Sequence, residues 1–434
     1  VIHHGDCLEV LRTMADNTAD GLLSDPPAGI GFMGRAWDKD KGGRDAWIAW
    51  LASIMREAHR VLKPGAYGLV WALPRTAHWT TMALEDAGFE VRDVILHLFG
   101  SGFPKSLDVS KAIDAANGEV REVRMGPRPG THGGGGSYGH GNDRSITAPA
   151  TDRAREWEGY GTALKPAAEH WVLVRKPLDG TVAANVAKWG TGGIAIDGCR
   201  VEYESKDDMA AAAYAAQRFC QDQNANRTGY GDFVNGPASL QPYLDKQSLG
   251  RWPANVTLSE DAARELDQQA GDRPGMSGGG TENGGPSRFF YVAKATSFER
   301  NFGCEALELR TAGERVDRAE DSAGMDSPRA GAGRTGGAQN HHPTIKSIAL
   351  TKWLAALIKP PGDGKRLLCP FAGSGGEVIG AMRAGWEHID GIEQDAEFVE
   401  IARARVKRWE EVPMHLEPED VAPVKSDERQ GALF

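Results

Sequence analysis

Two groups of residues in this chain of 434 have the types and spacing of a reactive site. The first is Leu22-Leu23-Ser24-Asp25-Pro26-Pro27-Ala28-Gly29, an apolar run that ends on a carboxylate and two prolines. A proline pair cannot continue a strand ladder, so the chain turns rigidly and fixes Asp25 at the strand's carboxyl end, where open α/β sheets place their ligands. Taken by itself the fragment is equally an ordinary turn. The second group is Leu367-Leu368-Cys369-Pro370-Phe371-Ala372-Gly373-Ser374-Gly375-Gly376, followed by a helical pattern and by His388-Ile389-Asp390-Gly391-Ile392-Glu393. A strand, a glycine turn, a helix and an acid ending the next strand are what a nucleoside cofactor needs. The glycines allow close backbone approach, and a carboxylate roughly twenty residues on grips ribose hydroxyls.

These residues need a sheet to hold them. From residue 1 to about 110, short apolar runs alternate with amphipathic stretches, the pattern of βα units feeding a mostly parallel sheet. Strands are expected over residues 1–4, 21–24, 68–72 and 91–98. The spacing of Trp47, Trp50, Leu51, Ile54, Met55, Ala58 and Leu62 predicts a helix over 46–62, stopped by Lys63-Pro64-Gly65, and a second over 77–87 closes at Gly88. The last block repeats the texture: helix 345–357, strand 366–368, helix 376–384, strand 388–392 and helix 396–409. Between the blocks lie a strand over 170–174 and an Ala-rich helical piece over 209–219. Two stretches, about 116–165 and 311–340, are rich in Gly and Arg with almost no apolar periodicity, and read as flexible loops.

A chain of this length exceeds one compact core, so two or three packed units are expected. The hydrophobic share of 40% and charged share of 25% are those of a soluble globular protein, so the surplus in 55 Gly and 23 Pro belongs to loops. No apolar run approaches the roughly 20 residues of a membrane span. The first residues, VIHHGDCLEV, lack the blocks of a signal peptide, which makes a cytoplasmic location the expectation. Cys7, Cys199, Cys220, Cys304 and Cys369 are odd in number and scattered, which argues against a disulfide framework and against a structural zinc. The formal net charge of -10 argues against a protein that coats nucleic acid, but leaves room for a locally basic cleft.

Together the two constellations resemble the DNA amino-methyltransferases that use S-adenosylmethionine. Their hallmarks are an Asp/Asn/Ser-Pro-Pro-aromatic catalytic motif and a Phe-x-Gly-x-Gly cofactor motif. Here these stand as Asp25-Pro26-Pro27-Ala28 and Phe371-Ala372-Gly373-Ser374-Gly375. The catalytic motif comes first and the cofactor motif last, as in the permuted β group, and the texture is similar to phage and prophage methylases. Further matches are Gly5-Asp6-Cys7, His342-Pro343-Thr344-x-Lys346, and Glu169-His170-Trp171-Val172-Leu173 with Arg175-Lys176-Pro177, so that the likeness covers around half the chain. It implies a doubly wound, mostly parallel, Rossmann-like α/β methyltransferase sheet in permuted order. The catalytic half would span 1–110, the last core strands 166–200 and the cofactor half 345–412. A flexible insertion would fill 111–165, a DNA target-recognition region 201–344 and an acidic tail 413–434. Within the recognition region, Arg251-Trp252 and Arg288-Phe289-Phe290-Tyr291 are of the type that meets DNA.

The resemblance also implies roles. Asp25 and the main-chain carbonyl of Pro26, in the turn completed by Pro27, would accept hydrogen bonds from an exocyclic base amine as it attacks the cofactor's methyl group, with no metal required. The base would be flipped out of double-stranded DNA. Phe371, Gly373 and Gly375 would line the S-adenosylmethionine pocket, Glu393 would hold the ribose, Asp6 or Cys7 would lie near the adenine, and Thr344 with Lys346 near the methionine end. The protein would act as a monomer or homodimer.

Two positions depart from the family pattern. The aromatic after Pro-Pro, which stacks on the flipped base, is Ala28, and Phe32 or Trp37 is expected to supply the ring instead. The Asp that helps bind the methionine ammonium is Cys369, and Glu377 is expected to take its place. Asp-Pro-Pro rather than Ser-Pro-Pro tilts the target toward adenine N6, with cytosine N4 as the alternative. The two departures keep open a protein that binds cofactor or DNA without methylating.

Overall fold

The structure is a computed structural model that describes residues 1–31, 36–38, 41–102, 106–127, 143–206, 208–210, 212, 249–270, 285–294, 298–310 and 339–416. In chain order its elements are β1 (Ile2–His4), α1 (Cys7–Thr13), β2 (Ala19–Ser24), α2 (Arg44–Val61), β3 (Leu62–Ala72), α3 (Ala77–Asp86), β4 (Glu90–Leu98), α4 (Val109–Ala116), β5 (Val123–Pro127), β6 (Asp143–Thr147), α5 (Asp152–Glu156), β7 (Ala168–Arg175) and α6 (Val182–Trp189). They continue with β8 (Val256–Ser259), α7 (Glu260–Ala270), β9 (Tyr291–Ala293), α8 (Ile348–Leu357), β10 (Arg366–Pro370), α9 (Gly376–Arg383), β11 (His388–Glu393) and α10 (Ala396–Glu410).

The chain divides into two compact units, 101–167 and the rest. The larger holds a nine-stranded sheet in the order β1-β11-β10-β2-β3-β7-β4-β8-β9. Its neighbours run parallel except where β7 pairs with β3 and β4. The fold is a doubly wound, mostly parallel α/β sheet. From β10 the chain moves outward to β11, and from β2 it moves the other way to β3, so the strand order reverses between β10 and β2. That reversal opens a crevice at the carboxyl ends of the two strands.

Both faces of the sheet are covered, which is why β2 is buried along its whole length. Leu22 packs in a cluster with Leu51, Met55 and Ala58 of α2, and Leu23 packs on the other face with Leu350 and Leu354 of α8. The apolar spacing of α2 therefore serves one layer and that of α8 the other.

Several sequence expectations need correction. α2 does stop ahead of Lys63-Pro64-Gly65, at Val61, but the following strand, expected from 68, already includes that tripeptide. The helix expected from 345 starts at Ile348, because Ser347 is the extended N-cap residue and accepts from Leu350 N at 3.5 Å. Lys346 thus stands before the helix rather than in it. Region 201–344, expected as a target-recognition part outside the core, contributes β8 and β9 to the core sheet.

The stretch expected as a flexible insertion over 111–165 carries ordered elements in its described parts. Buried Asp114 of α4 accepts from Ala150 N (2.9 Å), Thr151 N (3.1 Å) and Thr151 Oγ1 (2.8 Å), and pairs with Arg121. The hairpin of β5 with β6 belongs to the same unit. The centre of that stretch, most of the expected helix over 209–219, the second Gly-rich stretch up to 338 and the tail beyond 416 lie outside the described residues. No helix among the described residues is long and apolar enough to cross a membrane.

Candidate active site at the strand crossover

Asp25 follows the last residue of β2 and stands at the crevice. Ser24 Oγ donates to Pro370 O at 3.1 Å and so ties the end of β2 to the end of β10. Asp25 Oδ2 lies 2.9 Å from Lys346 Nζ, in a pair whose side chains are 14% and 7% exposed. The ammonium also sits 4.2 Å from the centre of the Trp71 ring at the end of β3. Such a face adds cation–π attraction to the ion pair.

The pair is not isolated. Glu169, near the start of β7, lies across from His97 of β4, whose Nδ1 is 3.0 Å from Thr257 Oγ1 on β8. Burial pushes the Asp25 carboxyl above its ordinary range and Lys346 opposes this, while Glu169 and Asp38 add to the rise. Burial would lower Lys346, yet the charges of Asp25, Glu169 and Glu377 hold it above its usual value. Glu377, buried in the first turn of α9, is pushed up to about 7 by burial and by the charge of Asp25, against Lys346 and Arg405. Cys369 is fully buried, and burial with the nearby Glu377 and Asp390 keeps its thiol protonated.

The glycine turn follows directly from β10. Phe371 is left-handed at φ +61°, an uncommon state for a residue with a Cβ, and its ring packs on Trp50 with centroids 5.8 Å apart. Gly373 has φ +49°, and a Cβ there would lie 2.8 Å from His342 Nε2. Its N–H donates to Glu393 Oε2 at 2.8 Å, and Asp395 N donates to Glu393 Oε1 at 2.8 Å. Burial raises the pKa of Glu393 while these amides hold it down. Gly375 is the left-handed N-cap of α9 at φ +82°. Arg405, buried, donates from behind the turn to Ser374 O and to Glu299 O.

The amino-terminal residues come to the same place. Gly5 N donates to Glu393 O at 3.0 Å, and Asp6 caps α1 by accepting from Leu8 N and Glu9 N. The Cys7 thiol is pushed up to about 12 by burial and lies against the backbone of Phe371. The fold therefore gathers Asp6, Cys7, Phe371, Gly373, Gly375 and Glu393 at one end of the crevice, and Asp25, Pro26, Pro27, Lys346 and Glu377 beside it. Thr344 is exposed, and its backbone hydrogen-bonds the ring of His342. Trp37 is partly exposed in the short 3-10 turn Ala36–Asp38, and Phe32 lies outside the described residues. Sequence reasoning assigned no role to Asp38 or His342, and Glu169 entered only as part of a matching run. The detectable signal for Glu169 was a polar residue beside an apolar run, whereas His342 meets the glycine turn only through the fold.

Comparison with known proteins gives local likeness. No family model matches the chain. Over 84 residues it is 29% identical to the Type II methyltransferase M.BamHI of Bacillus amyloliquefaciens, covering 19% of each protein. Over 91 residues it is 33% identical to YubD of Escherichia coli (strain K12), a protein named as a methylase, covering 20% of this chain and 37% of that one. The chain thus spans well under half the length of both curated relatives. Among solved structures it aligns with the M1.HpyAVI–SAM complex at a TM-score of 0.38 and 11% identity, over 93% of this chain and 98% of that one. With the PvuII DNA methyltransferase (cytosine-N4-specific) the TM-score is 0.41 at 10% identity, over 97% and 89%.

Proposed function

We propose that the chain is a DNA methyltransferase of the phage and prophage type that uses S-adenosylmethionine to methylate the exocyclic amine of a flipped base, adenine N6 ahead of cytosine N4. The observation that carries this reading is the meeting of the Asp25-Pro26-Pro27 turn and the Phe371–Gly375 turn at the crossover between β2 and β10. The local likeness to M.BamHI, a type II methyltransferase, supports it.

The residues present fit the cofactor. Asp25, Glu169 and Glu377 act on the ammonium of Lys346 while Arg405 acts on Glu377, so among the described residues of this cluster acids outnumber cations, which suits a cationic ligand. Gly373 and Gly375 adopt left-handed backbone that folds the turn tightly against His342 and Ala402, and the carboxylate of Glu393 accepts from the Gly373 amide. Glu393 would hold the ribose, Phe371 and Cys7 would flank the adenine, and Glu377 would face the methionine ammonium. When bound, S-adenosylmethionine supplies a methyl group made electrophilic by its sulfonium.

The chain's own residues then act on the base. The amine of a base is a poor nucleophile because its lone pair is delocalised into the ring. With Oδ2 engaged by Lys346, Asp25 Oδ1 is the acceptor we assign to the amine, and the Pro26 carbonyl is the second. Lys346 is here an electrostatic partner of Asp25 rather than a contact at the methionine end. The proton that the amine loses on transfer has Asp25 as its nearest carboxylate base. For the double-stranded DNA partner we assign the exposed rings of Trp252 and Phe289, each beside a guanidinium: Arg200 lies 5.3 Å from the first ring and Arg288 4.8 Å from the second.

Incubation with isotope-labelled S-adenosylmethionine and unmethylated duplex DNA, digestion to nucleosides and mass spectrometry tests the reading and identifies the base. Label in N6-methyl-2′-deoxyadenosine is expected, and label in N4-methyl-2′-deoxycytidine would reassign the target. Cofactor binding without label on several DNAs would favour the second reading, a binder without turnover, to which the protonated thiol of Cys369 and the missing ring at Ala28 point.

A further inference from the structure

The loop that leaves Pro27 closes on one carboxylate. Asp38 is 1% exposed and ends the 3-10 turn Ala36–Asp38. Its Oδ1 accepts from Gly29 N at 2.9 Å, its Oδ2 from Ile30 N at 3.4 Å, and its carbonyl from Gly31 N at 2.6 Å. Three successive amides after the Asp25-Pro26-Pro27-Ala28 turn thus end on one residue. Charge-assisted bonds from amides to a buried carboxylate are among the stronger ones available to a loop.

The loop is also pressed from outside. Gly29 is left-handed at φ +70°, and a Cβ there would lie 2.4 Å from the Trp47 indole of α2, so the backbone lies directly on that ring. Thr76 Oγ1 approaches Ala28 O at 3.4 Å. The charge of Asp38 reaches Asp25, whose pKa it helps to raise. Its chain neighbour in the 3-10 turn is Trp37, a partly exposed indole.

We propose that Asp38 is a positioning residue that holds the loop leaving the Asp25-Pro26-Pro27 turn and so fixes the amine acceptor, with its neighbour Trp37 as the ring offered to the base where Ala28 has none. The part of this that concerns the base rests on the methyltransferase reading. The part that concerns the clamp does not. A buried acid with a purely architectural role would lower the melting temperature when replaced and leave the loop's exchange and the turnover of the folded protein untouched.

The experiment uses the full chain as parent, Asp38→Ala, Asp38→Asn and Trp37→Ala. Hydrogen–deuterium exchange by mass spectrometry reads residues 28–31, and labelled S-adenosylmethionine with unmethylated genomic DNA gives kcat, KM and cofactor Kd. For Asp38→Ala, exchange in 28–31 rises about tenfold, and kcat falls about 10- to 100-fold with cofactor Kd unchanged. Asp38→Asn, which keeps an oxygen for Gly29 N, falls between. Trp37→Ala leaves the exchange at the parental level and weakens the use of DNA. If Asp38→Ala does not fold, Asp38→Asn decides by the same criteria. Parental exchange and kcat in the Asp38 variants, or a lower melting temperature with both unchanged, would overturn the proposal. A parent that methylates no DNA removes the methyltransferase reading and the indole's role at the base, while exchange still decides the clamp.

Discussion

Lys346 Nζ lies 2.9 Å from Asp25 Oδ2 and 4.2 Å from the centre of the Trp71 ring. This joins the residue before the Ser347 cap of α8 to the residue after β2 across the crevice. Removing one member of such a buried pair strands the other charge, at a cost of about 3–5 kcal/mol. Lys346→Met is therefore expected to be destabilised most at neutral and alkaline pH, with partial relief at low pH as Asp25 takes up a proton. If ionised Asp25 is the working acceptor, the acid limb of kcat/KM moves up by about 1–3 pH units. Lys346→Arg keeps the limb near its parental position. A pH–rate profile with urea unfolding at several pH values checks this, and an unmoved limb in Lys346→Met would show that Lys346 does not govern Asp25.

Glu377 is pushed up from an ordinary 4.5 to about 7 by burial and by the charge of Asp25. Lys346, Arg405, Asp25 and Cys369 are the charged and titratable groups that act on it or respond to it. With the folded pKa above the unfolded one, the fold retains the proton longer, so this group costs stability as pH rises from 4.5 toward 7. Glu377→Gln removes that cost and is expected to gain about 1–3 kcal/mol at pH 8. A cationic cofactor, by contrast, favours the ionised acid. Calorimetry should find S-adenosylmethionine affinity rising between pH 6 and 8 in the parent, and about tenfold weaker and flat in Glu377→Gln. Equal affinity and equal slope would remove Glu377 from the cofactor site.

What could be read from the sequence was what is encoded locally. The proline pair after an apolar run marks the Asp25 turn, the glycines mark the Phe371–Gly375 turn, and the spacing of Trp47, Leu51, Ile54 and Met55 marks α2. The start of β3 was harder, because Lys63-Pro64-Gly65, which does stop α2, is drawn into the strand, where Leu62 pairs with Ala19 ahead of a register shift. Lys346 was assigned to the cofactor, yet its partner is set by packing between residues far apart in the chain. Asp38 stands in a polar loop with no periodicity to betray that its carboxylate collects amides. The short strands β8 and β9 lack a local signature and form because a neighbouring strand is there to pair with.

Gly373 has no room for a methyl group. At φ +49° its Cβ would fall 2.8 Å from His342 Nε2, and the His342 ring is held edge-on by Phe398 at 4.6 Å. Gly373→Ala combines that clash with a left-handed backbone, which together should cost about 1–3 kcal/mol. It should also shift the amide that Glu393 Oε2 accepts and weaken cofactor binding. His342→Ala in the same chain relieves the clash but not the backbone strain, so a double-mutant cycle should show partial recovery. Chemical denaturation and cofactor Kd measure both effects. Full recovery would mean that the left-handed conformation carries no cost here.

His59 reports on the fold rather than on the site. Its ring stands edge-on to Phe89 with centroids 5.0 Å apart, and its pKa is pushed down to about 4 by burial and by the charge of Lys176, against a hydrogen bond to the Gly88 backbone. The folded protein therefore keeps His59 neutral while the unfolded chain protonates it below about 6.5. The stability it contributes is fully present above that pH and is lost as pH falls toward 4. A tenfold change in proton affinity is worth about 1.4 kcal/mol, and partial exposure reduces the total to about 1–2 kcal/mol. His97, His170 and His342 are also lowered and act with the same sign, so the parent alone cannot isolate one ring. The difference between parent and His59→Gln in urea unfolding from pH 7.5 to 4.5 does so. The variant should lose less stability than the parent over that range, and parallel curves would show that His59 titrates alike in the folded and unfolded chain.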